Sequence, residues 1–429
     1  MFDGVVTSAA ADHRLPGGRQ PLTRLPDGTV KQVNPFTGTQ VWTVPGRADR
    51  PVAAPAGRAP SPLRPEDAGR YCAFCEGRYL ETTPERERVV RDGAGWRRLA
   101  EVPAGALFDT VADFRLIPNL FEIVSYDYWV ANHGYQPSER ARRHQAAYLS
   151  TPEGRDHVAA LLRTRFGEVP AGEAGRLAER FFAGSHDVVI ARRHFADGAV
   201  TGEEHSWSGS LTPEEHEQYV ALTIASMDGL YADNPHAKQV AAFQNWLRPA
   251  GASFDHLHKQ LVALDEYGTD LEVQLARLAT EPELYERWGP RYAAEQGLTI
   301  ARNDHAVATV GVGHRYPAIE VWSTVPGRPW ELSARVLRDF SDLLHAVHAA
   351  TGRDVATNEE WHHQPPSVGY DSPMRVILKW RISTLAGFEG GTRIYLNTID
   401  PWTLRDRVVA RLGELIPLGG LGDVRLDAG

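Results

Sequence analysis

Cysteine is nearly missing from this chain: its 429 residues include two, Cys72 and Cys75. So few exclude a disulfide framework, while their C-x-x-C spacing in "YCAFCEGR" suits a metal site or a redox pair. Long hydrophobic runs are missing as well, and no stretch approaches the roughly 18 apolar residues of a membrane-spanning helix. The opening "MFDGVVTSAAADHRLPGG" has neither a basic segment nor a continuous apolar one, so it does not read as a secretory signal, and the chain is expected to be soluble and cytoplasmic. There is no dense basic run either. With 46 Lys and Arg against 55 Asp and Glu the net charge is -9, which argues against duplex nucleic acid as a partner. What the chain does have is length and 42% apolar content, sufficient for two or three ordinary domains or one large two-lobed one.

Residues 1–30 are rich in Gly, Pro and polar side chains without periodicity and read as an arm. "VKQVNPFTGTQVWTV" reads as a strand pair turning near Phe36, Thr37 and Gly38, followed by a Pro/Ala/Gly-rich connector to about residue 66. "FDTVADFRLIPNLFEIVSYDYWVAN" has the aromatic and β-branched content of strands. Helical spacing and good helix formers then mark residues 134–183 as a helical insert. "HDVVIARRHF" reads as a strand, "SLTPEEHEQYVALTIASMDGLYAD" as a helix with a clear start signal, and "QVAAFQNWL" as a strand leading into "RPAGASFDHLHKQ". After a helical segment near residues 269–297 a similar order returns, with "AIEVWSTV" as strand, "ELSARVLRDFSDLLHAVHAATG" as helix and "RVILKWRIS" as strand. A strand and a final helix follow in "AGFEGGTRIYLNTIDPWTLRDRVVARLGEL". The repeated order predicts an α+β protein of two related halves, residues 31–266 and 267–429, each an antiparallel sheet with packed helices.

In a regular strand His256, His258 and Gln260 share one face, with Leu257, Lys259 and Leu261 on the other. Just upstream, "PAGAS" is a small-residue turn in which backbone N–H groups and the Ser253 hydroxyl can approach an anion closely. For an isolated H-x-H pair the plain alternative is structural, each imidazole hydrogen-bonded within the fold.

Together these features carry a resemblance. "FQNWLRPAGASFDHLHKQ" resembles the active-site segment of the galactose-1-phosphate uridylyltransferase family, a branch of the histidine-triad superfamily, with its Asn, Gly-x-Ser and His-x-His-x-Gln in order. "NPFTGTQVWTVPGRADRP", "CAFCEGRYLETTPE", "IPNLF" and "AGFEGGTRIYLNTIDP" are similar to further segments of that family, in the family's order, from about residue 33 to 401.

The resemblance implies two histidine-triad-like halves and a nucleotidyltransferase. His258 would attack the α-phosphorus of a nucleoside diphosphate derivative, giving a covalent nucleotidyl-histidine from which a phosphorylated acceptor such as a sugar 1-phosphate takes the NMP group. Gln260 would donate a hydrogen bond to a phosphoryl oxygen. Ser253, Gly251 and the adjacent backbone would bind further phosphoryl oxygens, and Asn245 would position His258 or the neighbouring ribose phosphate. Arg47 and Arg50 match the family's arginine pair, Asn119 its nucleoside-contacting asparagine and Glu389 a glutamate that touches the sugar. Their plain alternatives are a solvated turn for the arginines and a turn residue after Pro118 for Asn119. Cys72, Cys75, His194 and His256 would form a structural zinc site, with His133 in reserve as third ligand and iron as the alternative metal. A redox dithiol competes, but no thioredoxin-like βαβ pattern surrounds the cysteines. The implied assembly is a homodimer.

Two other readings stand beside the transferase: a phosphorylase of nucleotide sugars or dinucleoside polyphosphates using the same histidine, and a non-catalytic nucleotide- or zinc-binding scaffold. Leu257 occupies the position where the family usually has proline. Lys379, Trp380 and Arg381 stand where some members carry a histidine-rich metal-binding strand, so no second metal is expected there. His362 and His363 are expected on a solvent-exposed loop.

Overall fold

The computed structural model describes residues 15, 18–46, 61–67, 69–170, 172–383 and 385–427. The strands of the first half are β1 (Leu22–Arg24), β2 (Val30–Val33), β3 (Gln40–Thr43), β4 (Glu87–Asp92), β5 (Gly95–Ala100), β6 (Phe114–Pro118), β7 (His186–Ala191), β8 (Gln239–Trp246) and β9 (His258–Leu264). Those of the second are β10 (Thr299–Arg302), β11 (Ala306–Val310), β12 (Ala318–Pro326), β13 (Thr357–His362), β14 (Pro373–Trp380), β15 (Ile394–Asn397) and β16 (Arg425–Leu426). Twelve of them form one sheet in the order β16-β10-β11-β12-β14-β13-β8-β9-β7-β6-β4-β5.

The duplication expected from the sequence is visible in that order. The first half runs β7, a helix over Pro213–Asp233, β8, β9; the second runs β12, a helix over Ala334–Thr351, β13, β14. In each, the last strand inserts between the other two, giving β7-β9-β8 and β12-β14-β13, and the halves join edge to edge where β8 pairs antiparallel with β13. The two long helices pack on one another across the same face of the sheet, with His216 Nδ1 2.8 Å from Ser341 Oγ.

Local sequence explains why these helices begin where they do. Thr212 Oγ1 accepts from the Glu215 N–H, the Glu215 carboxylate accepts from the Thr212 N–H, and Pro213 occupies the first turn. This capping box satisfies two otherwise orphaned N–H groups, an arrangement worth about 1 kcal/mol. The side that meets the sheet is apolar, with Tyr219, Leu222, Met227 and Leu230 essentially inaccessible to solvent.

Alternation along the central strands then leaves the opposite face more open. On β8, Val240, Ala242 and Trp246 are buried while Gln239, Phe243 and Asn245 are half-buried, and β13 alternates in the same way. One exception to apolar packing lies under the helices. Lys259, between His258 and Gln260 but on the other side of β9, is fully buried and ion-paired with the equally buried Glu359 on β13. Glu359 also accepts from Trp361 Nε1 (2.5 Å) and is 2.6 Å from His348 Nε2.

Three expectations are corrected. The arm ends before residue 30, because Leu22–Arg24 already pairs with Val30–Gln32. "SYDYWVAN" is not strand: Tyr126–His133 is a helix, started by Ser125 Oγ accepting from the Tyr128 N–H and stopped by Gly134 at φ 64°, and it buries Trp129 completely. The helical insert therefore begins about eight residues earlier than periodicity indicates. His362 and His363 do not stand in solvent either. His362 ends β13 half-buried, and His363 is buried, its Nε2 3.0 Å from the Tyr231 hydroxyl.

The opening strands have an unexpected partner. β3 pairs parallel with β15, completing a four-stranded sheet β1-β2-β3-β15 that joins residues 22–43 to the chain's distal end. The turn between β2 and β3 packs so closely on the second half that a side chain at Gly313, whose φ is +70°, would fall 2.2 Å from the Asn34 nitrogen.

Candidate active site and metal centre

β9 begins at His258, so strand alternation places His258 and Gln260 on the open face, and His256 lies in the bend just before it. That bend turns His256 toward the cysteines. Cys72 Sγ is 3.3 Å from His194 Nδ1 and 3.4 Å from His256 Nδ1, Cys75 Sγ is 3.8 Å from each, and the sulfurs are 3.8 Å apart. Two thiolates on one tetrahedral zinc at about 2.3 Å stand about 3.8 Å apart, so the spacing fits a single ion. His256 Nε2–H donates to the Ala191 carbonyl (2.6 Å), which leaves its Nδ1 lone pair for the metal. The contact with Cys72 is the first cause that holds Cys75 below its usual value, while that same contact and burial push Cys72 up. Such a donor set, two sulfurs and two imidazoles within 4.8 Å of one another, could hold a metal ion. His133 is elsewhere, 2.8 Å from Asp265.

The same bend sets the tautomer of His258. Its Nδ1 lies 2.7 Å from the His256 carbonyl, an acceptor, so Nδ1 carries the proton and Nε2 keeps the lone pair. Burial pushes its pKa down to about 4, and the ring stays neutral at physiological pH. Phe74 and Phe254 flank the imidazole edge-on, with ring centroids 5.2 and 6.5 Å away.

The loop before His258 turns at a glycine. Gly251, at φ 91°, makes the left-handed turn that brings the loop back over Asn245, a conformation a Cβ would strain. Ser253 is exposed beyond it. Asn245 Oδ1 accepts from Asn358 Nδ2 across the junction of the halves (2.7 Å), leaving the Asn245 amide N–H groups on the Gly251 side.

His186 is the functional candidate that sequence reasoning missed. Its Nδ1 accepts the Ile123 N–H (3.1 Å), so Nε2 carries the proton and donates to Gln260 Oε1 (3.2 Å). The Gln260 amide is thereby oriented with its N–H groups turned away from His186. Burial pushes the His186 pKa down to about 4, against the hydrogen bond to Gln260. A histidine heading a strand that is buried throughout was the available signal.

The remaining residues are placed as follows. Asn119 Oδ1 accepts from the Phe121 N–H (2.8 Å), a turn role, while its Nδ2 sits 3.1 Å from His186 Nε2 at the edge of the site. Glu389 is in the second half, where its carboxylate accepts from the Ala386 N–H (3.0 Å) and caps the short Gly387–Thr392 helix. Arg47 and Arg50 lie outside the described residues.

This duplicated sheet has the fold of GalT-like proteins. An ADP-glucose phosphorylase from Arabidopsis thaliana, solved with bound ADP-glucose, matches with a TM-score of 0.58 and 19% identity over 89% of this chain and 98% of its own. A GalT-like protein from the same plant matches with a TM-score of 0.54 and 18% identity over 88% and 98%. The chain belongs to the DUF4921 family, described as a domain of unknown function, whose profile spans residues 25–427. No curated protein sequence matches it significantly. No helix among the described residues is long and apolar enough to cross a membrane.

Proposed function

We propose that the protein is a nucleotidyltransferase that passes an NMP group through His258. The observation that carries this reading is the hydrogen bond from His258 Nδ1 to the His256 carbonyl, which presents Nε2 as the unprotonated nitrogen on the open face. In the first step Nε2 attacks the α-phosphorus of a nucleotide sugar, the N–P bond forms, and the bond to the bridging oxygen breaks. The sugar 1-phosphate leaves with the electron pair and needs no proton. The positive charge gained by the ring is met by the His256 carbonyl at Nδ1. In the second step a phosphate oxygen of the acceptor attacks, the N–P bond breaks, and His258 is neutral again. Gln260, its oxygen held by His186, donates to a non-bridging oxygen, and the Asn245 amide and the Ser253 loop supply further donors.

Cys72, Cys75, His194 and His256 would hold zinc, with iron as the alternative. The ion would act structurally, fixing the bend whose carbonyl orients His258. The protein expected is a homodimer, a reading supported by Phe121 and Ile123, which stand exposed beside Asn119.

The acceptor has two forms. A sugar 1-phosphate gives a transferase, and inorganic phosphate gives a phosphorylase, a form supported by the likeness to a protein named ADP-glucose phosphorylase. Intact mass after incubation with UDP- and ADP-sugars should show an NMP adduct that His258→Asn lacks, with turnover reduced by at least about 10³-fold. Discharge of that adduct by phosphate or by sugar phosphate identifies the acceptor. Absence of any adduct across the donor panel would leave the scaffold reading in its place.

A further inference from the structure

The open face of the second half carries a polar cavity of about 460 Å³, within the range of small-molecule sites. Its floor is β13 and β14, and its rim is formed by the Asn34–Thr39 turn and the loop at Gly313–Tyr316. β14 holds in this half the topological place that β9 holds in the first. Where β9 shows imidazole and amide on this face, β14 shows Arg375 and Lys379, and Arg381 follows immediately.

The cations are built in rather than trailing in solvent. Arg375 is 3% exposed, clasped between Phe36 and Trp322 at 4.8 and 4.6 Å, and its Nη1 has no hydrogen-bond partner among the described residues, Glu320 lying 3.6 Å away. Arg381 lies over Tyr316 at 4.5 Å and donates to Asn358 Oδ1 (2.6 Å); its buried Nε has no partner among the described residues. At the mouth Arg315 stacks on Tyr395 at 4.6 Å and donates to its hydroxyl (3.0 Å). Among the described residues neither Arg315 nor Arg381 has a carboxylate partner, whereas Lys379 is paired with Glu360 (2.6 Å). Arginines fixed by aromatic faces with unspent N–H groups are preorganised for a phosphate. Asn34, Thr37, Gln274 and Glu360 around them suit hydroxyl groups.

We propose that this cavity is a second, non-covalent site for the phosphate monoester of a polyhydroxylated small molecule, read by Arg381 and Arg315. It is separate from the His258 site: β13 and β8 intervene between β14 and β9, three strand spacings or about 14 Å. The ligand held there is therefore not the phosphate His258 attacks, and its binding does not depend on nucleotidyl transfer.

Calorimetric titration of the full chain with glucose 1-phosphate and with inorganic phosphate tests it. Binding of glucose 1-phosphate should persist in His258→Asn, weaken at least tenfold in Arg381→Met and in Arg315→Met, recover in part in Arg381→Lys, and exceed that of phosphate alone. Arg315, exposed at the mouth, guards against a folding artefact at Arg381, and NMP-adduct formation by both variants checks the first half. Unchanged affinity in both arginine variants, loss of binding in His258→Asn, or no binding of either probe would overturn the site. Equal affinity for the two probes would overturn its polyol half.

Discussion

β9 and β14 are the same strand of a duplicated unit, inserted in each half between an edge strand at the junction and the strand before the long helix. Their buried faces are treated alike, under helices, but their open faces have diverged. β9 offers a neutral imidazole with a free lone pair; β14 offers guanidinium and ammonium groups that bind anions but are not nucleophiles at neutral pH. The first half also fixes its strand from outside, through His256 and the cysteine pair, whereas aromatic stacking and amides hold the cations of the second. The difference teaches that a duplicated sheet can keep one strand geometry while a few side chains on its open face change the chemistry that face offers.

The largest expected effect comes from removing what β14 does not share. Cys75→Ser, or chelation of a metal held by the cluster, should release the bend before His258 and cost on the order of 5 kcal/mol, less than the roughly 10–16 kcal/mol of small zinc modules because the sheet keeps its own core. Thermal unfolding of metal-loaded and stripped protein reads this, and an unchanged midpoint with full metal content in Cys75→Ser would remove the cluster from the comparison.

Next is the link between the halves. Lys259→Met leaves Glu359 buried beside His348 without its ammonium and should destabilise by about 3–5 kcal/mol in urea unfolding. The double variant Lys259→Met/Glu359→Gln should recover part of that loss, because no charge is then stranded. A double variant as unstable as the single one would show that packing, not the ion pair, matters at this junction.

The smallest effect per group is that of pH. Burial holds His144, His157 and His345 near pKa 4 and His363 near 3, so they are neutral in the folded protein. The unfolded chain takes up these protons from about pH 6.5 downward and the folded one only near 4, so stability present above 6.5 is lost as pH falls through that window, by about 1.4 kcal/mol per group per unit. Urea midpoints measured from pH 7.5 to 4.5 should fall steadily. Replacing His345 with Gln tests one member from the second half, and His144→Gln one from the first.

Much of this was legible in the sequence because it is local or periodic. The capping signal at Thr212, the repeated strand and helix order, the C-x-x-C pair and the short His-x-His-x-Gln run all depend on residues near one another in the chain. Tyr126–His133 misled because aromatic content favours strands, yet a serine cap and a glycine stop, together with burial of Trp129, outweigh propensity. His362 and His363 misled because neighbouring prolines resemble a loop, whereas His362 pairs with Arg375 on β14 and His363 packs against Tyr231 and Trp330.

The sequence by itself determined the pattern: which strands alternate, which helices have starts, and which histidine carries a chemical expectation. Only the tertiary structure decided the tautomer of His258, the orientation of Gln260 by His186, the pairing of Lys259 with Glu359, and the attachment of the opening strands to β15. The reason is physical. Propensity and periodicity act over a few residues, whereas a proton's position depends on how the backbone bends, and the partner of a buried polar group or charge lies as far as 100 residues away in the chain, brought within hydrogen-bond reach by the sheet.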